Sequence, residues 1–254
     1  MSIQTHIGEG VLTVTIARPE KKNALTLAMY RAMSDAIQQA RADDTVWALL
    51  ITGQADVFTS GNDLQDFLEQ TPEGDESPVL CFMRAMLDCE KPIIAAVTGP
   101  AIGIGTTMLL HCDLVYVADD ARLGMPFVNL GLVPEFGSSL LLPRLMGYAQ
   151  AAEKLLLGAM FSGTEAARLG LANAALPASE VLDHARGAAR RFSTLRSPAV
   201  QASKRLLRAP LRDEIDAAIK AETKEFTERL RSPQTRAALQ AFLEKRRSAK
   251  DPGP

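Results

Sequence analysis

Three short apolar runs, at residues 47–52, 92–97 and 114–118, constrain this chain more than any other feature. Each is bounded by turn residues, and none alternates apolar with polar. A run of that length without alternation reads as a strand buried on both faces. The segments between them carry apolar residues three and four apart. Thr26 stands where it can cap a helix whose apolar positions are Leu27, Tyr30, Met33 and Ile37, and residues 80–89 read as a second helix. Strands alternating with helices predict an α/β fold with a mostly parallel sheet. One further strand is expected at residues 10–17, where Leu12, Val14 and Ile16 alternate with Thr13 and Thr15.

From about residue 138 the spacing turns helical. Thr164 and Ser179 are expected as N-caps, with Gly170 ending the helix that Thr164 begins, and Ser197-Pro198 opens a further helix. Residues 211–248 read as two amphipathic helices divided at Ser232-Pro233. Charge density rises there, so we expect a core at residues 1–196 and an attached helical segment at 197–254 that packs on the core or on another subunit. Residues 71–78, with prolines, glycine and acids, are expected to form an exposed loop. The stretch 124–139 is rich in Gly and Pro yet apolar, which suggests an ordered, buried loop.

Composition matters mainly for what it excludes. Hydrophobic residues make up 47 % of the 254, charged residues 23 %, and the formal net charge is −2. A nucleic-acid binder would carry a basic excess. The three cysteines form no CxxC pair and the three histidines are scattered, so no metal site is expected. No basic-then-apolar leader and no bilayer-length apolar stretch is seen, so the expectation is a cytoplasmic protein without membrane association.

Three segments could carry chemistry. Ser60-Gly61-Asn62-Asp63-Leu64 lies at a loop-to-helix junction, with Asp63 expected in the helix's first turn, and residues 99–105 also open a helix. Both place free backbone N–H groups at the positive end of a helix dipole. They fit ordinary turns, or two halves of an oxyanion hole. In the third, residues 123–139, Glu135 stands alone among apolar residues and glycines, beside Val133 and Phe136. It fits a solvent-facing cap on the helix that begins near Ser138, or a desolvated carboxylate of raised pKa suited to general-base work.

Taken in order, these segments resemble the crotonase (enoyl-CoA hydratase/isomerase) superfamily. Asp56-Val57-Phe58-Thr59-Ser60-Gly61-Asn62-Asp63-Leu64 is similar to its first oxyanion segment. Lys91-Pro92-Ile93-Ile94-Ala95-Ala96-Val97, followed by Gly99 and Gly103-Ile104-Gly105, is similar to its second. Arg18-Pro19-Glu20-Lys21-Lys22-Asn23-Ala24-Leu25 and Phe242-Leu243-Glu244-Lys245-Arg246 are similar to its two ends. The resemblance implies a spiral of ββα units followed by a helical trimerisation segment, in trimers or dimers of trimers. It implies an acyl-coenzyme A thioester as substrate, with coenzyme A entering as part of that substrate and no separate cofactor. Asn62 and Ile104 would supply the oxyanion N–H groups. Lys22, Ala24, Ser60, Gly61, Asp63, Leu64, Gly103, Gly105, Phe127 and Lys245 would contact the substrate.

The family's hydratases use two glutamates to split water; here Thr107 and Phe127 stand at those positions. Glu135 remains, within Pro126-Phe127, Leu130-Gly131-Leu132, Pro134-Glu135 and Gly137-Ser138-Ser139, which resembles the peroxisomal type of 3-enoyl-CoA to 2-enoyl-CoA isomerase. The implied reaction is a one-base shift of the double bond, in fatty acid degradation. Alternatives are an isomerase of ring-containing acyl-CoA esters, a broad enoyl-CoA hydratase, and a non-catalytic acyl-CoA- or RNA-binding trimer. Arg18, Lys21 and Lys22 fit coenzyme A phosphate contacts or a solvated turn, and Lys245 and Arg246 fit a nucleotide contact or a charged helix face. Phe82, Met83 and Met86 fit an acyl pocket or plain core.

Overall fold

The computed structural model describes residues 2–69, 74 and 76–248. Its main sheet has six strands: β1 (Ile3–Gly8), β2 (Val11–Ile16), β3 (Ala48–Gly53), β4 (Ile93–Val97), β6 (Leu114–Ala118) and β9 (Ala174–Leu176), in the spatial order β1-β2-β3-β4-β6-β9. β1 and β2 pair antiparallel; every other neighbour is parallel. The central strands are buried along almost their whole length, as the uninterrupted apolar runs predict. A smaller sheet joins β5 (Ala101–Ile102), β7 (Arg122–Gly124) and β8 (Phe161–Ser162) in the order β5-β7-β8.

Helix α1 (Leu27–Ala42) begins where the Thr26 hydroxyl accepts from the Met29 N–H. It packs on α3 (Pro78–Asp88) and on β1–β3, and α8 (Ala178–Arg191) lies against β3, β4 and β6. Phe82, Met83 and Met86 belong to the core rather than to a pocket. The C-terminal part carries α9 (Ser197–Arg208), α10 (Arg212–Arg231) and α11 (Pro233–Ser248), divided at Ser232-Pro233 as expected. α9 is tied to the sheet by a partly buried cluster. Its Lys204 ammonium donates to Asp113 at 2.6 Å and to the Lys91 carbonyl at 2.7 Å, and its Arg208 donates to Asp113 at 2.9 Å. No helix among the described residues is long and apolar enough to cross a membrane.

Several expectations change. β1, β5, β7, β8 and β9 were not expected. Asp63 precedes α2 (Leu64–Glu69) as its cap, accepting from the N–H groups of Gln65 and Asp66. Ser162, not Thr164, caps α7 (Gly163–Arg168), with its hydroxyl accepting from Glu165. Ser179 lies inside α8, which already starts at Ala178. Of the loop expected at 71–78, residues 71–73 and 75 lie outside the described residues. Ser77 and Pro78 are buried at the start of α3 instead, because the Ser77 hydroxyl caps that helix.

Candidate active site

The first two segments are brought together by backbone pairing. Asn62 forms an isolated parallel bridge with Leu25, and Thr59 forms one with Ala101. Asn23, fully buried and left-handed at φ 55°, joins the N-terminal turn to the loop beyond β3. Its amide donates to the carbonyls of Gln54 and Val57, and its own carbonyl accepts from the Thr59 hydroxyl. Gly61 has φ 89°, and a Cβ there would lie 2.8 Å from the Ile102 carbonyl oxygen. Only glycine allows both that backbone and that approach of the two segments. Gly103, at φ 59°, ends β5 and starts α4 (Ile104–Thr107).

Most N–H groups around these turns have acceptors. That of Asp63 donates to Leu25, that of Gly103 to Gly124, and those of Thr106 and Thr107 to Gly103. Among the described residues, the N–H groups of Asn62 and Ile104 have no backbone acceptor. Both residues line one cavity of about 320 Å³, together with Ser60, Gly61, Leu64, Gly103, Phe127 and, from the C-terminal helices, Phe226 and Phe242. Two free donors in a mostly apolar cavity suit an oxygen that gains charge during a reaction. The Ser60 hydroxyl is also without a partner among the described residues.

A second cavity, of about 250 Å³, shares Asn62 and Leu64 with the first and adds Lys21, Lys22, Ala24, Asp63 and Leu243 of α11. Arg18 is committed internally. Its guanidinium donates to Asp63 at 2.6 Å and to the Ala24 carbonyl at 3.0 Å. It therefore braces the turn, and Asp63 serves as its counter-ion and as a helix cap. Gly105 lines neither cavity; a Cβ there would lie 2.5 Å from the Thr59 methyl, so its bareness makes room for packing. Lys245 is exposed on α11 and lines neither cavity, and the Arg246 side chain is outside the described ones.

Glu135 is buried, and its Oε1 has no hydrogen-bond partner among the described residues. Burial, with the charge of Glu222 added, pushes its pKa up to about 8. It is not among the residues that line the cavity, and its connection to Asn62 is indirect. The link is Tyr30 of α1. Its hydroxyl donates to the Asn62 side-chain oxygen, and burial, then the Glu135 charge, hold the phenol well above its usual pKa. Phe136 follows Glu135 in the left-handed region at φ 59°, and Gly137 is there too at 71°. The His111 ring stacks on Phe136, with centroids 3.9 Å apart, and its Nε2 lies 2.7 Å from the Phe136 carbonyl. Burial holds His111 down to about 3, so the ring is neutral and Nε2–H donates. Thr107 is buried and Phe127 is a cavity wall; neither side chain is a base that can take a proton from water at neutral pH.

Sequence reasoning missed Tyr30, His111 and Glu222 as parts of this site. Glu222 did leave a signal. In α10 it falls on the stripe Ile215, Ile219, Phe226, where helical spacing calls for an apolar side chain.

The enoyl-CoA hydratase/isomerase family model matches residues 6–251. Enoyl-CoA delta isomerase 2 of Rattus norvegicus is 33 % identical over 240 residues, covering 92 % of this chain; the chain spans only 61 % of that relative. The short-chain-enoyl-CoA hydratase of Clostridium acetobutylicum is 34 % identical over 242 residues, covering 93 % of this chain and 92 % of the relative. The solved structure of Pseudomonas aeruginosa OdaA superposes with a TM-score of 0.93 at 57 % identity, covering 95 % of this chain and 98 % of that one.

Proposed function

Because the chain belongs to the enoyl-CoA hydratase/isomerase family, with its crotonase fold and its acyl-coenzyme A thioester substrates, we propose that it is a one-base isomerase that moves a 3-enoyl double bond to the 2-trans position, in fatty acid degradation. The observation that carries this reading is the buried, incompletely bonded carboxyl of Glu135. By the resemblance, Thr107 and Phe127 stand where the family's hydratases have glutamates. Moving a double bond by one carbon needs a single base that takes a proton from C2 and returns it to C4. The dienolate formed between the two steps carries its charge on the thioester oxygen, for which the Asn62 and Ile104 N–H groups are free. Apolar walls such as Phe127 disfavour an ordered water in the cavity, and hydration would need one.

In the same reading the smaller cavity takes part of the coenzyme A group, with Lys21 and Lys22 beside it, and the larger cavity takes the acyl chain. Exposed leucines on α9, Leu206 at 75 % and Leu207 at 80 %, support assembly into trimers through that helix. Light scattering in solution measures this directly, and a monomer at working concentration would refute it.

The functional test is turnover of 3-hexenoyl-CoA, followed by absorbance of the conjugated thioester, with hydration of 2-hexenoyl-CoA run in parallel. Conjugation without hydration, lost in Glu135→Gln, is the expected result. Fast hydration would mean that water is activated without carboxylates at positions 107 and 127, and the reading would fail.

A further inference from the structure

Glu222 is buried on the inward stripe of α10, and its carboxylate is fully committed. Oε2 accepts from the Gly137 N–H at 2.6 Å. Oε1 accepts from the Ser139 N–H at 2.8 Å and from the Ser139 hydroxyl. A buried charge is costly unless bonded in this way. Gly137 is the N-cap of α5 (Ser138–Met146), so the carboxylate meets the unsatisfied N–H groups and the positive end of that helix.

What this cap steadies is a strained turn, closed locally by the Ser138 N–H and hydroxyl, which donate to the Glu135 carbonyl at 3.1 and 2.6 Å. Glu135 is joined to α5 through Phe136 and Gly137, two consecutive left-handed residues, and phenylalanine adopts that conformation only under external restraint. His111 holds the Phe136 carbonyl from one side. Glu222 holds Gly137 from the other, across 85 residues of sequence.

We propose that Glu222 is a positioning residue for the isomerisation: anchored in α10, it fixes the turn that presents Glu135, an inference that rests on Glu135 being the base. It is not a second proton carrier, because both oxygens are occupied by donors from the α5 N-terminus. Its charge also acts on Glu135, adding to burial in keeping that carboxyl's pKa high.

The test uses the whole protein with 3-hexenoyl-CoA from about pH 5 to about pH 9. Glu222→Gln keeps the size but loses the charge and one acceptor. The expected result is a fall in kcat of about tenfold to a hundredfold, with KM within about twofold of wild type. The midpoint of the rising limb of kcat moves to lower pH, because a like charge beside Glu135 is gone. Glu222→Asp returns the midpoint toward wild type. A merely structural cap would lower Tm and leave the midpoint in place. If Glu222→Gln does not fold, Ser139→Ala removes one of the three donors and should lower kcat several-fold. Wild-type kcat and midpoint in folded Glu222→Gln, or wild-type kcat in Ser139→Ala, would overturn the proposal. Glu135→Gln run alongside separates the two readings: if it keeps isomerase turnover, the base assignment itself is wrong. If it is inactive while Glu222→Gln is unchanged, only the positioning role falls.

Discussion

Replacing Glu135 by glutamine should stabilise the protein at neutral and alkaline pH while removing its chemistry. In the unfolded chain this carboxyl ionises near 4.5; in the folded protein it holds its proton to about 8, because burial and then the Glu222 charge oppose ionisation. Below pH 4.5 both states are protonated and the group is neutral to stability. Between 4.5 and about 8 only the unfolded chain has released the proton, so stability falls by about 1.4 kcal/mol per pH unit. Above about 8 both states are ionised and the penalty is constant. At pH 7 the penalty reaches about 3 kcal/mol, and the alkaline plateau of about 5 kcal/mol is a ceiling. Glutamine cannot ionise. Its unpartnered amide costs about 1–3 kcal/mol, independent of pH. The assay is urea unfolding of both proteins at one protein concentration, in steps between about pH 5 and about pH 9. The stability difference, variant minus wild type, should grow by about 1.4 kcal/mol per unit and then flatten. The slope carries the argument, because the offset depends on how the amide is accommodated. A difference that stays flat across this range would show that Glu135 titrates like an exposed acid. The desolvation reasoning would then fail even if the variant were inactive. In the wild type, turnover should rise with pH toward about 8, because only the ionised carboxyl can take a proton.

Gly61→Ala puts a Cβ in the left-handed region against the Ile102 carbonyl. It should cost about 1–3 kcal/mol and lower kcat by pushing the two oxyanion segments apart; thermal unfolding and turnover check it, and an unchanged pair of values would refute it. Asp113→Ala strands the buried Lys204 ammonium and takes an acceptor from the Ile93 N–H. The expected loss is about 3–5 kcal/mol in urea unfolding, partly recovered by adding Lys204→Met. Arg18→Met removes the counter-ion of Asp63. Burial works to raise the Asp63 pKa, but the bond and charge of Arg18 outweigh it, so its carboxyl lies below the usual range. The pair therefore stabilises at neutral pH, by about 1 kcal/mol given its partial exposure. That advantage should vanish in acid melts, as pH falls through the lowered pKa.

The features read correctly from sequence share one property: local chemistry decides them. Buried parallel strands need uninterrupted apolar runs, and residues 93–97 and 114–118 have them. Thr26 caps α1 with its own hydroxyl, and Gly61 and Gly103 are required by their own backbone angles. What escaped is decided by partners. β1 buries only Ile3 fully and has no alternation to show, yet six residue pairs join it to β2. Ser162 and Thr164 both suit a cap; pairing of Phe161 with Leu123 fixes the chain path that puts Ser162 at the helix start.

The site divides in the same way. Its free donors sit on glycine-bearing turns and could be found by spacing, whereas the placement of Glu135, the proposed base, depends on residues far along the chain. The turn that carries Glu135 is held by His111, whose own carbonyl accepts from Arg208 of α9 at 2.5 Å, and by Glu222 of α10. Phe226 and Phe242 of the last two helices wall the cavity. The helical segment from 197 onward reads in sequence as an attachment because its exposed faces are charged. Physically it finishes the site, supplying the anion that caps α5, the cation that steadies His111 and two of the aromatic walls. Among those contributions the buried one is Glu222, an acid at an apolar position. A polar residue that breaks an otherwise regular inward stripe must have its bonds met inside the protein. In this chain that rule, applied to α10, leads directly to the turn that presents Glu135.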